Sequence, residues 1–254
     1  MKYDGHVKLT RAAIDQLQAN CPDASACNTP LFDTTFRIWM GDSEASNALD
    51  NYSAAFVNYV GYSLMPEFIL RVRLPDAVAF VDLDEMWTHD DPLGQRYHFM
   101  RSVNETEIEA HRNGCRFIKR HTANWVNAAK EDIRRTTSPA TRGAEMRSEH
   151  YMAELALALH SLQDSFSPGH TERDASCYTS MMSPIQTIFV YANQDHDDHA
   201  EHDYGSGSPN QVWGRAAVAA SVDLFRLGIL SIPAPGCGLT GWDAFERMWL
   251  SQNI

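Results

Sequence analysis

The segment 159–173, LHSLQDSFSPGHTER, constrains the fold of this chain strongly, because it sets polar side chains into an apolar helical pattern. Apolar residues recur there at three- and four-residue steps, which predicts an amphipathic helix over 142–166, and the Pro-Gly pair ends it. His160 and Asp164 are four positions apart, so both point from one helix face, and His170 can fold back towards them after the break. Because unpaired polar groups are costly to bury, these three side chains need partners.

The same periodicity predicts helices along much of the chain. Apolar residues share one face in four further segments, 6–20, 105–135, 210–229 and 242–250, with Gly114 as a possible break in the second. Only 187–191 has the β-branched and aromatic character of a strand, and long connecting loops are predicted at 22–53, 85–104 and 165–212. Residues 1–254 are thus predicted to form one all-α, multi-helical domain. Whether the natural chain continues past Ile254 is left open.

Charge, cysteine usage and hydropathy narrow the range of functions that the chain can have. The net charge of −12 disfavours a stable nucleic-acid complex and suits a protein that binds several divalent cations, since three of them would cancel half of it. None of the five cysteines has a CxxC partner, which disfavours a thiolate zinc site. The N-terminus MKYDGHVKLT lacks the apolar stretch of a signal peptide, and the chain has no run of 18 apolar residues, so no transmembrane helix is expected. We expect secretion or translocation by a signal-peptide-independent route, with a cytoplasmic location as the alternative.

Histidines and carboxylates recur in other parts of the chain. His199 and Asp203 repeat the four-residue spacing, the segment 82–98 carries several aspartates and ends in His98, and His6 opens the first helix. Imidazole and carboxylate without cysteine suit a catalytic zinc site with open positions better than a closed structural one.

A plainer interpretation competes at each position. A single histidine is more often a capped or core residue than a ligand, and we assign four others to that class, His89, His111, His121 and His150. The acidic segment 195–203 also fits a solvated loop. Chance explains the ordered set of pairs poorly, which favours a metal site.

That ordered set resembles the zinc-dependent phospholipase C/P1 nuclease superfamily, most closely a bacterial phosphatidylcholine-hydrolysing branch without a signal peptide. LHSLQDSFSPGH is similar to that family's LHYLGD…QPxH segment. Four other elements resemble family motifs in the same order: DGHVKLTRAAI, VAFVD at 78–82, HFMR at 98–101, and the pair His199 and Asp203. The resemblance implies an all-helical fold with a three-zinc cleft.

The resemblance also implies a ligand set. One zinc would be held by Asp82, His98 and His160. A second would be held by His170, His199 and Asp203. The third would be held by His6, with Asp164 bridging the first and third ions. Asp84 is the alternative to Asp82, and because the family's N-terminal Trp ligand is replaced here by Met1, Asp4 is a candidate oxygen ligand beside His6.

Three clustered dications suit the cleavage of phosphate esters. By resemblance the chain is expected to be a phospholipase C that acts on a phospholipid membrane surface, with Asp82 or Asp84 as the catalytic base. Three alternatives stay open at this point: a single-strand nuclease, a phosphatase acting on a small ester, and a non-enzymatic metal-binding helical protein.

Overall fold

Helices account for most of the structure, as the periodicity predicts. In a computed structural model of the chain, we describe residues 3–19, 74–81, 94–135, 149–174, 183–191, 208–232, 234–236 and 238–253. These ranges contain six α-helices: α1 Tyr3–Ala19, α2 Leu74–Phe80, α3 Glu107–Arg135, α4 Glu149–Asp164, α5 Val212–Ser231 and α6 Trp242–Trp249. They also contain a 3₁₀ helix, Gly94–His98, and two short strands, β1 Thr171–Arg173 and β2 Ile185–Ile188.

One apolar core includes residues from all six α-helices. Small and apolar residues cover most sides of α5, which packs against α1, α3, α4 and α6. The apolar face of α1 predicted from the sequence, which includes Ile14 and Leu17, is buried. The prediction of a mainly α-helical fold is therefore confirmed for the described part of the chain.

The longest helix, α3, begins with a capping box and runs unbroken through Gly114. The backbone amide of Glu109 donates to Thr106 Oγ1 at 3.3 Å, and the Thr106 amide donates to the Glu109 carboxylate at 3.0 Å. The predicted break at Gly114 is wrong. A Cβ at this position would lie 2.6 Å from the Phe99 ring, so close packing explains the glycine.

The strands β1 and β2 pair in antiparallel fashion and carry a buried arginine. The guanidinium of Arg173 lies 4.0 Å from the centre of the Phe166 ring. It donates to three backbone carbonyls, those of Ser165, Ser183 and Trp249. Burial lowers the pKa of Arg173 to about 9, which leaves it charged at neutral pH. This cation ties the turn after α4 to the sheet and to the end of α6.

The short elements differ from the sequence prediction. The strand expected at 187–191 begins two residues earlier and spans Ile185–Ile188. The strand β1 and the 3₁₀ helix fall in segments predicted as loops, and α2 was not predicted. These elements span three to seven residues, which is too short for a periodic pattern to stand out.

Candidate metal centre

Five of the predicted site residues meet in one buried cluster, which we call the His/Asp cluster. Each is at most 1% exposed: His6, His98, His160, Asp164 and His170. They come from α1, from the end of the 3₁₀ helix, from α4, and from the turn that precedes β1. His160 and Asp164 therefore point from one face of α4, and His170 folds back towards them after the Pro-Gly break, as the sequence predicts.

The carboxylate of Asp164 organises the cluster, because its two oxygens face different histidines. Oδ2 lies 3.0 Å from His98 Nδ1 and 3.0 Å from His160 Nε2. Oδ1 lies 3.2 Å from His6 Nε2. His170 is further away, with its Nδ1 3.6 Å from Oδ2.

Asp164 keeps its charge although it is fully buried. Burial by itself raises the pKa of this carboxyl group. Nearby positive charge outweighs that effect and holds the pKa of Asp164 well below its usual range. His170 contributes most among the histidines, and His160 and His6 contribute as well when they are protonated. A buried carboxylate that stays ionised is suited to bind a cation.

Backbone carbonyls fix the orientation of two imidazoles. His160 Nδ1 lies 2.8 Å from the Val78 oxygen, and His170 Nδ1 lies 2.6 Å from the His98 oxygen. A carbonyl only accepts, so each Nδ1 donates, and in the neutral ring the lone pair is on Nε2. Histidine ligands of metals typically donate their other ring N–H in this way.

The backbone at His98 is shaped by an unusual residue. Phe99 adopts φ 52°, in the left-handed region that favours glycine. The amide of Phe99 donates to the Arg96 oxygen at 3.4 Å and the amide of Met100 donates to the Gln95 oxygen at 2.9 Å, the pattern of a Schellman motif. The 3₁₀ helix therefore ends at His98, and the His98 carbonyl is left to accept from His170.

The spacing of the polar atoms suits a metal ion. Zinc binds nitrogen and oxygen at about 2.0–2.1 Å, so neighbouring ligand atoms around a tetrahedral ion lie about 3.3 Å apart. His98 Nδ1, His160 Nε2 and Asp164 Oδ2 form a triangle with edges of 3.0, 3.0 and 3.1 Å. The ligand atoms of His6, His160 and Asp164 also lie within 4.8 Å of one another. The His/Asp cluster can therefore hold a metal ion, and the two oxygens of Asp164 face separate nitrogen ligands.

Of the remaining predicted site residues, the structure describes only Asp4. Asp82, Asp84, His199 and Asp203 lie outside the described residues. Asp4 is on the exposed side of α1, because residues two apart on a helix point to nearly opposite sides, and the structure does not bring it to buried His6.

The histidines assigned to the core have other partners. His111 Nε2 lies 2.5 Å from the Leu250 oxygen, and His121 Nδ1 lies 2.6 Å from Glu154 Oε2. Both contacts are consistent with the assignment of these two histidines to the capped or core class. His89 and the side chain of His150 lie outside the described residues.

Sequence reasoning missed Gln163, whose Oε1 lies 2.8 Å from His6 Nδ1. A glutamine beside a predicted ligand carries no signal of its own. Its place in the helix, one residue before Asp164, is the only hint in the sequence.

Comparisons with known proteins give no match, whether to a protein-family model, to a curated protein or to a solved structure. The relationship to the phospholipase C/P1 nuclease superfamily therefore stays a prediction that rests on the motifs. Among the helices described, none combines the length and the hydropathy of a membrane span.

Proposed function

We propose that this chain is a zinc-dependent phosphoric diester hydrolase, a phospholipase C that splits phosphatidylcholine into phosphocholine and diacylglycerol. The observation that carries the proposal is the buried Asp164 carboxylate, whose two oxygens face the nitrogens of different histidines. The ordered motifs supply the substrate class through their resemblance to the phosphatidylcholine-hydrolysing branch. The net charge of −12 favours a lipid head group over a long polyanion such as single-stranded nucleic acid.

Hydrolysis of the phosphodiester needs a cation, a base and a water molecule. Zinc, when bound, supplies Lewis acidity that favours deprotonation of water near neutral pH and offsets charge on the phosphate oxygens. His6, His98, His160 and Asp164 would hold the cations, and the Val78 carbonyl keeps His160 Nε2 free of a proton in the neutral ring. Asp82, or Asp84 in its place, accepts the proton of the attacking water, and the diacylglycerol oxygen leaves with a proton from solvent.

The first test is the zinc content of the protein, purified without chelators or a metal-affinity column. We expect about three zinc ions per chain, the number that the resemblance to the three-zinc superfamily implies. A value near zero, with no activity restored by added zinc, would overturn the proposal and favour the non-enzymatic binding protein.

The substrate is tested on the same preparation. Phosphocholine release from phosphatidylcholine vesicles is measured beside digestion of single-stranded DNA and hydrolysis of a small phosphomonoester. We expect the vesicle assay to give by far the highest turnover. Digestion of DNA without phosphocholine release would contradict the phospholipase assignment and favour a single-strand nuclease.

Asp164→Asn tests the role of the bridging carboxylate. The variant keeps the volume of the side chain and loses its charge, so we expect loss of zinc and a fall in turnover of more than about 100-fold, since changes next to ligands already cost 10–100-fold. Glu154→Gln is the matched control, because it removes a carboxylate–imidazole pair from the same helix at His121. Equal zinc content in Asp164→Asn and the control would contradict the assignment.

A further inference from the structure

Two consecutive residues of α4 face the two nitrogens of the His6 imidazole. Gln163 Oε1 lies 2.8 Å from His6 Nδ1, and Asp164 Oδ1 lies 3.2 Å from His6 Nε2. All three side chains are fully buried. We infer that Gln163 is a positioning residue, which sets the tautomer of His6 so that its Nε2 lone pair faces Asp164; this rests on the metal centre of the proposed function.

The orientation of the Gln163 amide follows from its other partners. Ser221 Oγ lies 2.7 Å from the Ala217 oxygen, and a carbonyl only accepts, so the hydroxyl proton of Ser221 is committed to it. The Gln163 atom that lies 3.3 Å from Ser221 Oγ must therefore be the donor, Nε2. The same nitrogen lies 3.0 Å from Thr10 Oγ1.

This orientation decides the protonation of His6. With Nε2 of Gln163 turned towards the two hydroxyls, its Oε1 faces His6 and accepts, so His6 Nδ1 carries the proton. The neutral ring then has its lone pair on Nε2, opposite the Asp164 oxygen. In the neutral ring this lone pair and the carboxylate repel each other, so a cation between them is favoured, either a metal ion or a second proton on the ring.

The network also fills an apolar region with polar groups that must all be paired. It places a buried amide, two hydroxyls and an imidazole between α1, α4 and α5, where apolar side chains fill the surrounding core. An apolar residue at 163 would pack there without any need for partners. The presence of these polar groups is explained if the network orients His6.

Two substitutions of Gln163 test the inference through zinc affinity, measured by competition with a chromophoric chelator. Gln163→Met keeps the length of the side chain but cannot accept from His6, so the affinity of the weakest-bound zinc should fall about 10–100-fold. Gln163→Glu should retain more of the affinity than Gln163→Met, because its carboxylate still accepts from His6 Nδ1.

Two serine variants separate the network from general effects on the core. Ser221→Ala removes one partner of the Gln163 amide and should weaken zinc binding less than Gln163→Met does. Ser231→Ala is the matched control, since Ser231 is buried on the same helix and donates to the Leu227 oxygen at 2.7 Å, as Ser221 does to Ala217. Zinc affinity in this control should equal that of the wild type.

A measurement on the wild type requires no variant to fold. Imidazole ¹⁵N spectra should show His6 protonated at Nδ1, both without metal at alkaline pH and in the zinc-loaded protein. A proton on Nε2, or equal zinc affinity in wild type and Gln163→Met, would overturn the inference. A wild type that binds no zinc would instead overturn the proposed function, and the ¹⁵N spectrum would still decide the tautomer.

Discussion

Histidines in this protein differ in what their second nitrogen does. His160 donates from Nδ1 to a backbone carbonyl and presents Nε2 to the His/Asp cluster. His121 uses both nitrogens among side chains: Nδ1 donates to Glu154, and Nε2 lies 2.9 Å from the Arg120 guanidinium, from which it accepts. His121 therefore has no lone pair left for a metal.

His121 should make stability depend on pH. Burial lowers the pKa of His121 in the folded chain, although Glu154 acts in the opposite direction. The unfolded chain, with a histidine pKa of about 6.5, then binds more protons than the folded chain just below that pH. The contribution of His121 to the free energy of unfolding should be largest above about pH 6.5. It should fall as the pH drops towards the folded pKa, by at most about 1.4 kcal/mol per pH unit.

Urea unfolding of the wild type and His121→Gln at pH 7.5, 6.5 and 5.5 measures this contribution. A chelator in every sample keeps metal release from adding to the difference. We expect the wild type to lose stability relative to the variant as the pH falls. A difference between the two that does not change with pH would refute the assignment.

The 3₁₀ helix shows how one element places a ligand of the site. Phe99 follows its last residue in a left-handed conformation that costs a side-chain-bearing residue about 1–2 kcal/mol. Its ring is buried and lies against Gly114 of α3. The packing between α3 and Phe99 therefore fixes the backbone that carries His98.

Gly114→Ala should break this arrangement. Alanine favours a helix over glycine by about 1 kcal/mol, yet the new Cβ would lie 2.6 Å from a Phe99 ring that cannot move freely. We expect the clash to dominate and to lower the free energy of unfolding by about 1–3 kcal/mol. Zinc affinity should fall as well, because His98 moves with Phe99.

The double variant Gly114→Ala, Phe99→Leu is the control for this contact. The smaller side chain leaves room for the Cβ, so the two substitutions should cost less together than the sum of their separate effects. Additive losses in urea unfolding would show that Gly114 and Phe99 are not coupled.

The long elements could be predicted from the sequence, and the short ones could not. The apolar repeats of α1, α3, α4, α5 and α6 extend over two to eight turns, so the periodic pattern stands out. The strand β1 and the 3₁₀ helix make hydrogen bonds to distant segments. Arg173 of β1 donates to the Trp249 oxygen at 3.1 Å, and the Arg96 oxygen of the 3₁₀ helix accepts from the Ser161 hydroxyl at 2.9 Å. No local pattern encodes such contacts.

The same division holds for the site. Residue type and spacing brought His160, Asp164 and His170 together, and the family resemblance implied that His6 and His98 join them; all five meet in the fold. Gln163 and the carbonyl of Val78 could not be predicted, because their roles depend on which atoms face them across the core. His6 and Gln163 are 157 positions apart.

For the molecule as a whole, the His/Asp cluster joins α1, near the N-terminus, to the segments around residues 98 and 160–170. A metal that binds this cluster only in the folded chain stabilises it by mass action, by about 2.7 kcal/mol when the free metal is at 100 times its Kd. Removing zinc with a chelator should therefore lower Tm by roughly 5–10 °C in a domain of this size. Calorimetry before and after dialysis against the chelator measures the shift.

Re-addition of zinc is the control for this experiment and should restore the original Tm. Calcium or magnesium should not, because imidazole ligands suit zinc and poorly suit these harder ions. An unchanged Tm after verified metal removal would mean that the ions do not hold the segments together.

The carbonyls that orient His160 and His170 belong to the main chain. No amino-acid substitution at Val78 or His98 deletes a main-chain oxygen, so the directing acceptors persist through sequence drift as long as the backbone keeps its path. The orientation of the His6 imidazole depends on the side chain of Gln163, which a single codon change can remove. Among relatives of this chain, the geometry around His160 and His170 should tolerate divergence, while His6 and residue 163 should change together.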